Sequence, residues 1–153
     1  MTDRIEKTVE LNASPARVWK AISDYREFGA WFGVALEGPF EPGREARGKI
    51  TEPGYERFPW RAMVQKIQPQ QLFSFTWHPF AVDPEHDYSG ETPTLVEFRI
   101  EPTVGGTRLT ITESGFDKVP AARRGEAFLR NDEGWTIQAG RIAAHVDGAL
   151  AKA

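Results

Sequence analysis

NDEGWTIQAGRIAAHVDGAL, residues 131–150, places apolar side chains at every third or fourth position. This spacing is typical of an amphipathic helix with a single apolar stripe. We expect the helix to run from about Glu133 to Leu150, with Asn131 or Asp132 as its N-cap. The stripe consists of Trp135, Ala139, Ile142, Val146 and Leu150. Because such a stripe must be buried, the rest of the chain has to supply an apolar surface for it.

The segment from Gly38 to Gly115 is predicted to supply that surface as a β-sheet. Polarity alternates with period two in several runs, and Pro42-Gly43 and Gly105-Gly106 are turn signals between them. About four or five antiparallel strands are expected. One face of the sheet is aromatic and apolar, with Trp60, Phe73, Phe75, Trp77, Phe98, Leu109 and Ile111.

Residues 5–33 indicate one strand followed by two short helices. Alternation over Ile5–Leu11 predicts a half-buried strand. Ser14 is suited to cap the first helix, and Asp24 has capping-box spacing to Glu27 in the second. The second helix presents an aromatic face of Phe28, Trp31 and Phe32 and should end near Gly33. A further short helix is expected from Pro120 to Arg130.

This order of elements predicts an α+β fold of the helix-grip type, in which a curved antiparallel sheet wraps around the long C-terminal helix. We expect a single domain over residues 1–153, because this length suits one hydrophobic core. A long helix across a twisted sheet leaves space beneath it. That space is either packed core or a ligand cavity, and the function depends on which of these it is.

Composition excludes several classes of protein. The chain has no cysteine, so disulfides, thiolate nucleophiles and cysteine-bound iron–sulfur centres are excluded. A net charge of −3 argues against nucleic-acid binding. We find no stretch of about 18 apolar residues and no signal peptide at the start, so a soluble cytoplasmic protein without membrane insertion is expected. No catalytic or cofactor-binding motif occurs, and no cofactor is expected.

Several segments, in the order expected along the chain, resemble a known superfamily. They are ASPARVWKAI at residues 13–22, Trp31-Phe32, LFSFTW at residues 72–77, residues 107–116, and Gly134-Trp135. Together they resemble the START-like superfamily called SRPBCC, and within it the subgroup similar to the C-terminal domain of the activator of heat-shock protein 90 ATPase. The resemblance implies a helix-grip fold and a cavity that binds lipids, polyketides or other apolar molecules, sometimes with catalysis.

The predicted function is the binding of a small hydrophobic or aromatic ligand between the sheet and the C-terminal helix, for transport, sequestration or sensing. The candidate ligand-binding residues are Trp31, Trp60, Phe73, Phe75, Trp77, Phe98, Trp135 and Ile142. The alternative structural interpretation is that these rings form an ordinary core. Two other functions stay open, a cofactor-independent cyclase or lyase and a co-chaperone-like interaction module.

Two titratable groups are candidates for proton transfer in such an enzyme. Glu113 shares strand parity with Leu109 and Ile111, so its side chain should point toward the helix-covered face. His145 lies at the edge of the helical stripe. The competing interpretations are an exposed or ion-paired carboxylate at a strand end and a surface histidine.

The connection from His78 to Pro93 is longer than a usual hairpin loop, which favours either a lid or a flexible insertion. It contains possible metal ligands: His78, Asp83, Glu85, His86 and Asp87. Their spacing matches no known metal motif, so we expect no metal site.

Overall fold

A computed structural model describes residues 4–83 and 85–151, with side chains described as far as Asp147. Its strands are β1 (Arg4–Leu11), β2 (Val34–Leu36), β3 (Glu45–Ile50), β4 (Pro59–Gln68), β5 (Leu72–Trp77), β6 (Thr94–Thr103) and β7 (Gly106–Ser114). Its helices are α1 (Pro15–Ser23), α2 (Tyr25–Phe32) and α3 (Ala121–Ala151).

The strands form one antiparallel sheet of seven in the order β1-β7-β6-β5-β4-β3-β2. Each strand from β2 to β7 pairs with its sequence neighbour. Strand β1 lies at the edge opposite β2 and pairs with β7. Five strands, β3 to β7, lie between Gly38 and Gly115. This arrangement is the helix-grip α+β fold that the sequence predicts.

Local capping sets the two short helices. The Ser14 side chain accepts the amide N–H of Arg17, and the Asp24 carboxylate accepts those of Arg26 and Glu27. Gly33 ends α2 with φ of 93°, a left-handed conformation that glycine adopts without the steric cost of a Cβ. These three predicted helix ends are confirmed.

The C-terminal part differs from the sequence prediction. Residues 121–151 form one continuous helix, so the predicted break between Arg130 and Glu133 is wrong. The two expected N-caps have tertiary partners instead: Asn131 donates to Glu113, and Asp132 lies 2.9 Å from Lys7 Nζ. Side chains engaged in this way do not compete for the helix backbone, and the helix continues through them.

The apolar stripe of α3 packs on the sheet as predicted. Trp135, Ile142 and Val146 are buried, and Ala127 extends the stripe toward the start of the helix. The predicted contribution of the Leu150 side chain lies outside the described residues. Strand parity is also confirmed: Trp60 and Val64 of β4 are buried. In the central strand β5, Leu72 and Ser74 are buried as well, so both faces of that strand are covered.

Gly106 gives a test of how tightly β7 packs against the end of β1. A Cβ at Gly106 would overlap the carbonyl oxygen of Leu11, whereas a Cβ at Gly105 would meet nothing within 4 Å. Gly106→Ala is therefore expected to destabilise the fold by about 2 kcal/mol, in the range of overpacked positions. Gly105→Ala is the matched control and should change stability by less than about 0.5 kcal/mol. Urea unfolding measures both, and equal effects would contradict the close approach.

Candidate functional site

A buried carboxylate joins the sheet to α3. Glu113 of β7 is 0% exposed. Its Oε1 accepts hydrogen bonds from Asn131 Nδ2 and Trp135 Nε1, each at 2.8 Å. Its Oε2 accepts from Trp77 Nε1 at 2.7 Å and from Thr94 Oγ1 at 2.5 Å. The four donors come from β5, β6 and α3, so one side chain connects four elements of the fold.

These contacts match an ionised carboxylate, which accepts about four hydrogen bonds and donates none. Among the described residues no cation lies within ion-pair distance of Glu113. Neutral donors therefore replace the hydration that the carboxylate loses on burial. Glu113 points toward the helix-covered face, as its parity indicates, but the alternative of an exposed or ion-paired carboxylate at the strand end is wrong.

Most of the candidate ligand-binding rings come together beside Glu113. Trp77 packs between Phe75, which it meets edge-on, and Trp135, with ring centroids 5.3 and 5.7 Å away. Phe98 lies 5.7 Å from Trp135, and Trp60 lies 5.9 Å from Trp77. We name the set the aromatic cluster: Phe28, Phe32, Trp60, Phe73, Phe75, Trp77, Phe98 and Trp135. The rings contact one another, an arrangement that the sequence left open beside that of side chains around a void.

Two polar atoms at the aromatic cluster are buried without a hydrogen-bond partner in the described part of the chain. One is Trp60 Nε1, a donor, and the other is Gln138 Oε1, an acceptor. Both adjoin Phe32, because the Trp60 ring lies 5.7 Å from the Phe32 ring and Gln138 Nε2 donates to the Phe32 carbonyl at 2.9 Å. An unpaired buried polar atom costs about 1–3 kcal/mol, so each of these requires an explanation.

A cleft of about 610 Å³ opens between α2, the β3–β4 loop and α3. We call it the α2–α3 cleft; it is lined by Ala30, Trp31, Gly33, Thr51, Glu52, Pro53, Arg141, Ala144 and His145. Trp31 is the candidate ligand-binding residue in its wall, and its ring also packs on Phe28 at 5.0 Å and on Phe98 at 6.4 Å. The Trp31 indole thus lines the cleft on one side and contacts the aromatic cluster on the other. Ile142, the remaining candidate, is buried on α3.

His145 lies in the wall of this cleft, outside the aromatic cluster. Its Nε2 is 2.9 Å from Oε1 of Glu27, which also accepts from Arg17 at 2.7 Å. Partial burial raises the pKa of Glu27, but the hydrogen bonds from His145 and Arg17 outweigh burial and hold that pKa below its ordinary value. The contacts of Glu27 with His145 and Arg17 thus connect α3 to α2 and α1.

The His78–Pro93 connection is anchored to the start of α3. Arg123 donates two hydrogen bonds to Glu91, at 2.9 and 2.7 Å, and one to the carbonyl of Pro79 at 2.6 Å. Its guanidinium also lies 4.8 Å from the Tyr88 ring centroid. Burial lowers the pKa of His78, whose ring stacks on Tyr88. No local sequence pattern indicates this anchor, which joins positions 32 residues apart.

Three of the five possible metal ligands of this connection have other partners. His86 Nε2 lies 2.8 Å from Glu91, and the Asp83 and Asp87 carboxylates accept the backbone N–H groups of Glu85 and Ser89. Over the described residues, no three His, Cys, Asp or Glu side chains converge as a metal site would require.

The fold and this interior define a START-like helix-grip protein, and comparison with known proteins identifies the family. The family model described as activator of Hsp90 ATPase homolog 1-like protein matches residues 12–147. The chain belongs to this family. A search of the curated proteins found no match. Within the described residues, no helix is long and apolar enough to cross a membrane.

Solved structures share the fold at low sequence identity. A protein from Arthrobacter aurescens aligns with a TM-score of 0.77 and 19% identity, over 96% of this chain and 87% of that one. The Aha1 dimer from Colwellia psychrerythraea aligns with a TM-score of 0.69 and 15% identity, over 94% of this chain and 95% of that one. DynU16, a protein of the dynemicin biosynthetic locus, aligns at 0.72 and 23%, over 96% of this chain. The chain spans about half the length of DynU16, 48%.

Glu113→Gln tests the role of the buried carboxylate. The amide would direct its own N–H groups at two of the four donors, leaving buried groups unpaired. We expect a loss of about 3 kcal/mol or more in urea unfolding. Glu97→Gln on β6 is the control, because Glu97 is partly exposed and pairs with Arg99 at the surface. It should cost less than about 1 kcal/mol, and similar losses in the two variants would refute a special role for Glu113.

Glu27 predicts a measurable acid dependence of stability. Its pKa is lower in the folded protein than in the unfolded chain, where it is about 4.3. Its stabilising contribution is therefore fully present above that pH and is lost as the pH falls through the lower folded value. The stability advantage of the wild type over Glu27→Gln should accordingly shrink as the pH falls below about 4.3 in urea unfolding. Glu41→Gln controls for the loss of one exposed carboxylate, and a constant advantage would contradict the assignment.

Proposed function

We propose that the protein binds a small, mainly apolar or aromatic molecule between its sheet and α3. The observation that carries the proposal is the buried N–H of Trp60, which has no acceptor in the described structure although it lies among large aromatic rings. A ligand with an acceptor atom would satisfy this donor while its apolar body contacts the aromatic cluster. Membership of the activator of Hsp90 ATPase homolog 1-like family, in a START-like fold, supports the same class of function.

Binding in this region requires the rings to move apart, and the α2–α3 cleft is the proposed access route. Its volume of about 610 Å³ is within the range of small-molecule sites. Trp31 is the ring that a ligand would pass to reach Phe28 and Phe98. The indole of Trp31 donates to the Ala21 carbonyl at 2.8 Å, so its movement would break one hydrogen bond.

The alternative functions receive less support from the site. All four acceptor positions of Glu113 are engaged, and His145 pairs with Glu27, so neither is placed to transfer a proton to a bound molecule. A co-chaperone-like module would need a contiguous exposed apolar patch. The large exposed apolar residues of the described structure come from three loops, one strand and α3: Tyr55, Met63, Val82, Val104, Leu129 and Ile137.

Fluorescence titration with N-phenyl-1-naphthylamine, a neutral aromatic probe, tests the proposal. We expect saturable binding with a dissociation constant on the order of 1 μM and quenching of tryptophan emission. Ala144→Trp should fill the α2–α3 cleft and slow association at least about tenfold, because Ala144 lies in its wall. Thr136→Trp is the matched control, since Thr136 is exposed on the same helix and does not line the cleft.

Two outcomes would count against the proposal. Absence of saturable binding by the probe, together with purified protein that carries no small molecule in native mass spectrometry, would mean that the interior is only a packed core. Unchanged association in Ala144→Trp would leave binding in place but would rule out the α2–α3 cleft as the route.

A further inference from the structure

We propose that the ligand is an uncharged aromatic compound that offers a hydrogen-bond acceptor to Trp60, and that aromatic acids are excluded. This inference rests on the proposed function, because it specifies the chemistry of the same interior. It is carried by the charges and by the unpaired polar atoms of the aromatic cluster.

The buried charge is negative and has no counterion. Glu113 is the one charged side chain among the fully buried residues of the described structure. It lies next to Trp77, whose ring is the neighbour of Trp60. An anionic ligand brought to Trp60 would therefore lose its hydration in a region of low dielectric close to a like charge.

Arg123 and Arg141 are not placed to neutralise the charge of an anionic ligand. Arg123 pairs with Glu91, and Arg141 donates to the Phe32 carbonyl and lies 3.5 Å from Glu52. Both guanidinium groups are held at the periphery by these partners. A carboxylate bound within the aromatic cluster would lack the charge-assisted partner that such sites normally provide.

The indole donors single out one position for the ligand acceptor. Trp31 donates to the Ala21 carbonyl, and Trp77 and Trp135 both donate to Glu113. Of these four indoles Trp60 alone has an N–H without a described acceptor. A carbonyl, ether or phenolic oxygen at this point would complete the pattern.

Gln138 adds a second polar contact on the α3 side. Its amide nitrogen is engaged by the Phe32 carbonyl, which leaves Oε1 buried without a described donor. A hydroxyl or N–H of the ligand would satisfy this acceptor. The ligand class is therefore a flat, neutral aromatic molecule with an acceptor and room for a donor, such as an aryl ketone with a hydroxyl group.

Three compounds of nearly equal shape test this inference: 2-acetylnaphthalene, 2-naphthoate and 2-isopropenylnaphthalene. They carry a neutral acceptor, an anionic acceptor and no acceptor on the same ring system. Isothermal titration calorimetry at neutral pH should show the ketone binding at least about tenfold more tightly than the acid and about fivefold more tightly than the hydrocarbon.

Trp60→Phe removes the N–H and keeps an aromatic ring. The ketone and the hydrocarbon should then bind with equal affinity, whereas Trp19→Phe, outside the cluster, should keep the ketone preference. Circular dichroism checks that both variants fold, and the wild-type comparison of the three compounds does not depend on either variant.

The possible results separate this inference from the proposed function. If naphthoate binds as tightly as the ketone, or if Trp60→Phe retains the ketone preference, the assignment of ligand class is wrong although binding stands. If none of the three compounds binds although N-phenyl-1-naphthylamine does, the assignment of ligand class is wrong and the proposed function stands. If N-phenyl-1-naphthylamine also fails to bind and no small molecule accompanies the purified protein, the proposed function fails as well.

Discussion

The hydrogen bonds to the Glu113 carboxylate determine how the sheet and α3 meet. A carboxylate in an apolar interior is tolerated only when donors replace its lost hydration, and here the donors are side chains of Trp77, Thr94, Asn131 and Trp135. Each indole must therefore present its edge to one point. This requirement orients the two rings, and the rest of the aromatic cluster packs around the orientation they adopt.

The same network explains why α3 is continuous. Asn131 lies where the sequence suggested a helix start, and its amide is needed by Glu113, 18 residues earlier in the chain. A helix break at this position would move Asn131 and Trp135 out of register with the carboxylate. The start of α3 is held independently by Arg123, which anchors the connection between β5 and β6.

Local patterns in the sequence predicted much of the fold. The caps at Ser14 and Asp24 depend on residues within one helical turn, and the burial of Trp60 depends on strand parity, so both could be inferred. The partners of Glu113 and Arg123 could not, because hydrogen bonds between distant segments leave no periodic signal. Parity placed Glu113 on the correct face but could not show that two indoles meet it there. For the same reason the packed state of the rings was open from sequence alone.

The spacing of the three indoles has an optical consequence. The ring centroids of Trp60 and Trp77 lie 5.9 Å apart, and those of Trp77 and Trp135 lie 5.7 Å apart. The rings of each pair lie in different planes. Electronic transitions of chromophores held this close couple with one another, so the folded interior should produce an exciton signal in circular dichroism. That signal depends on the mutual angles of the rings, and it would report any separation of the cluster without an added label.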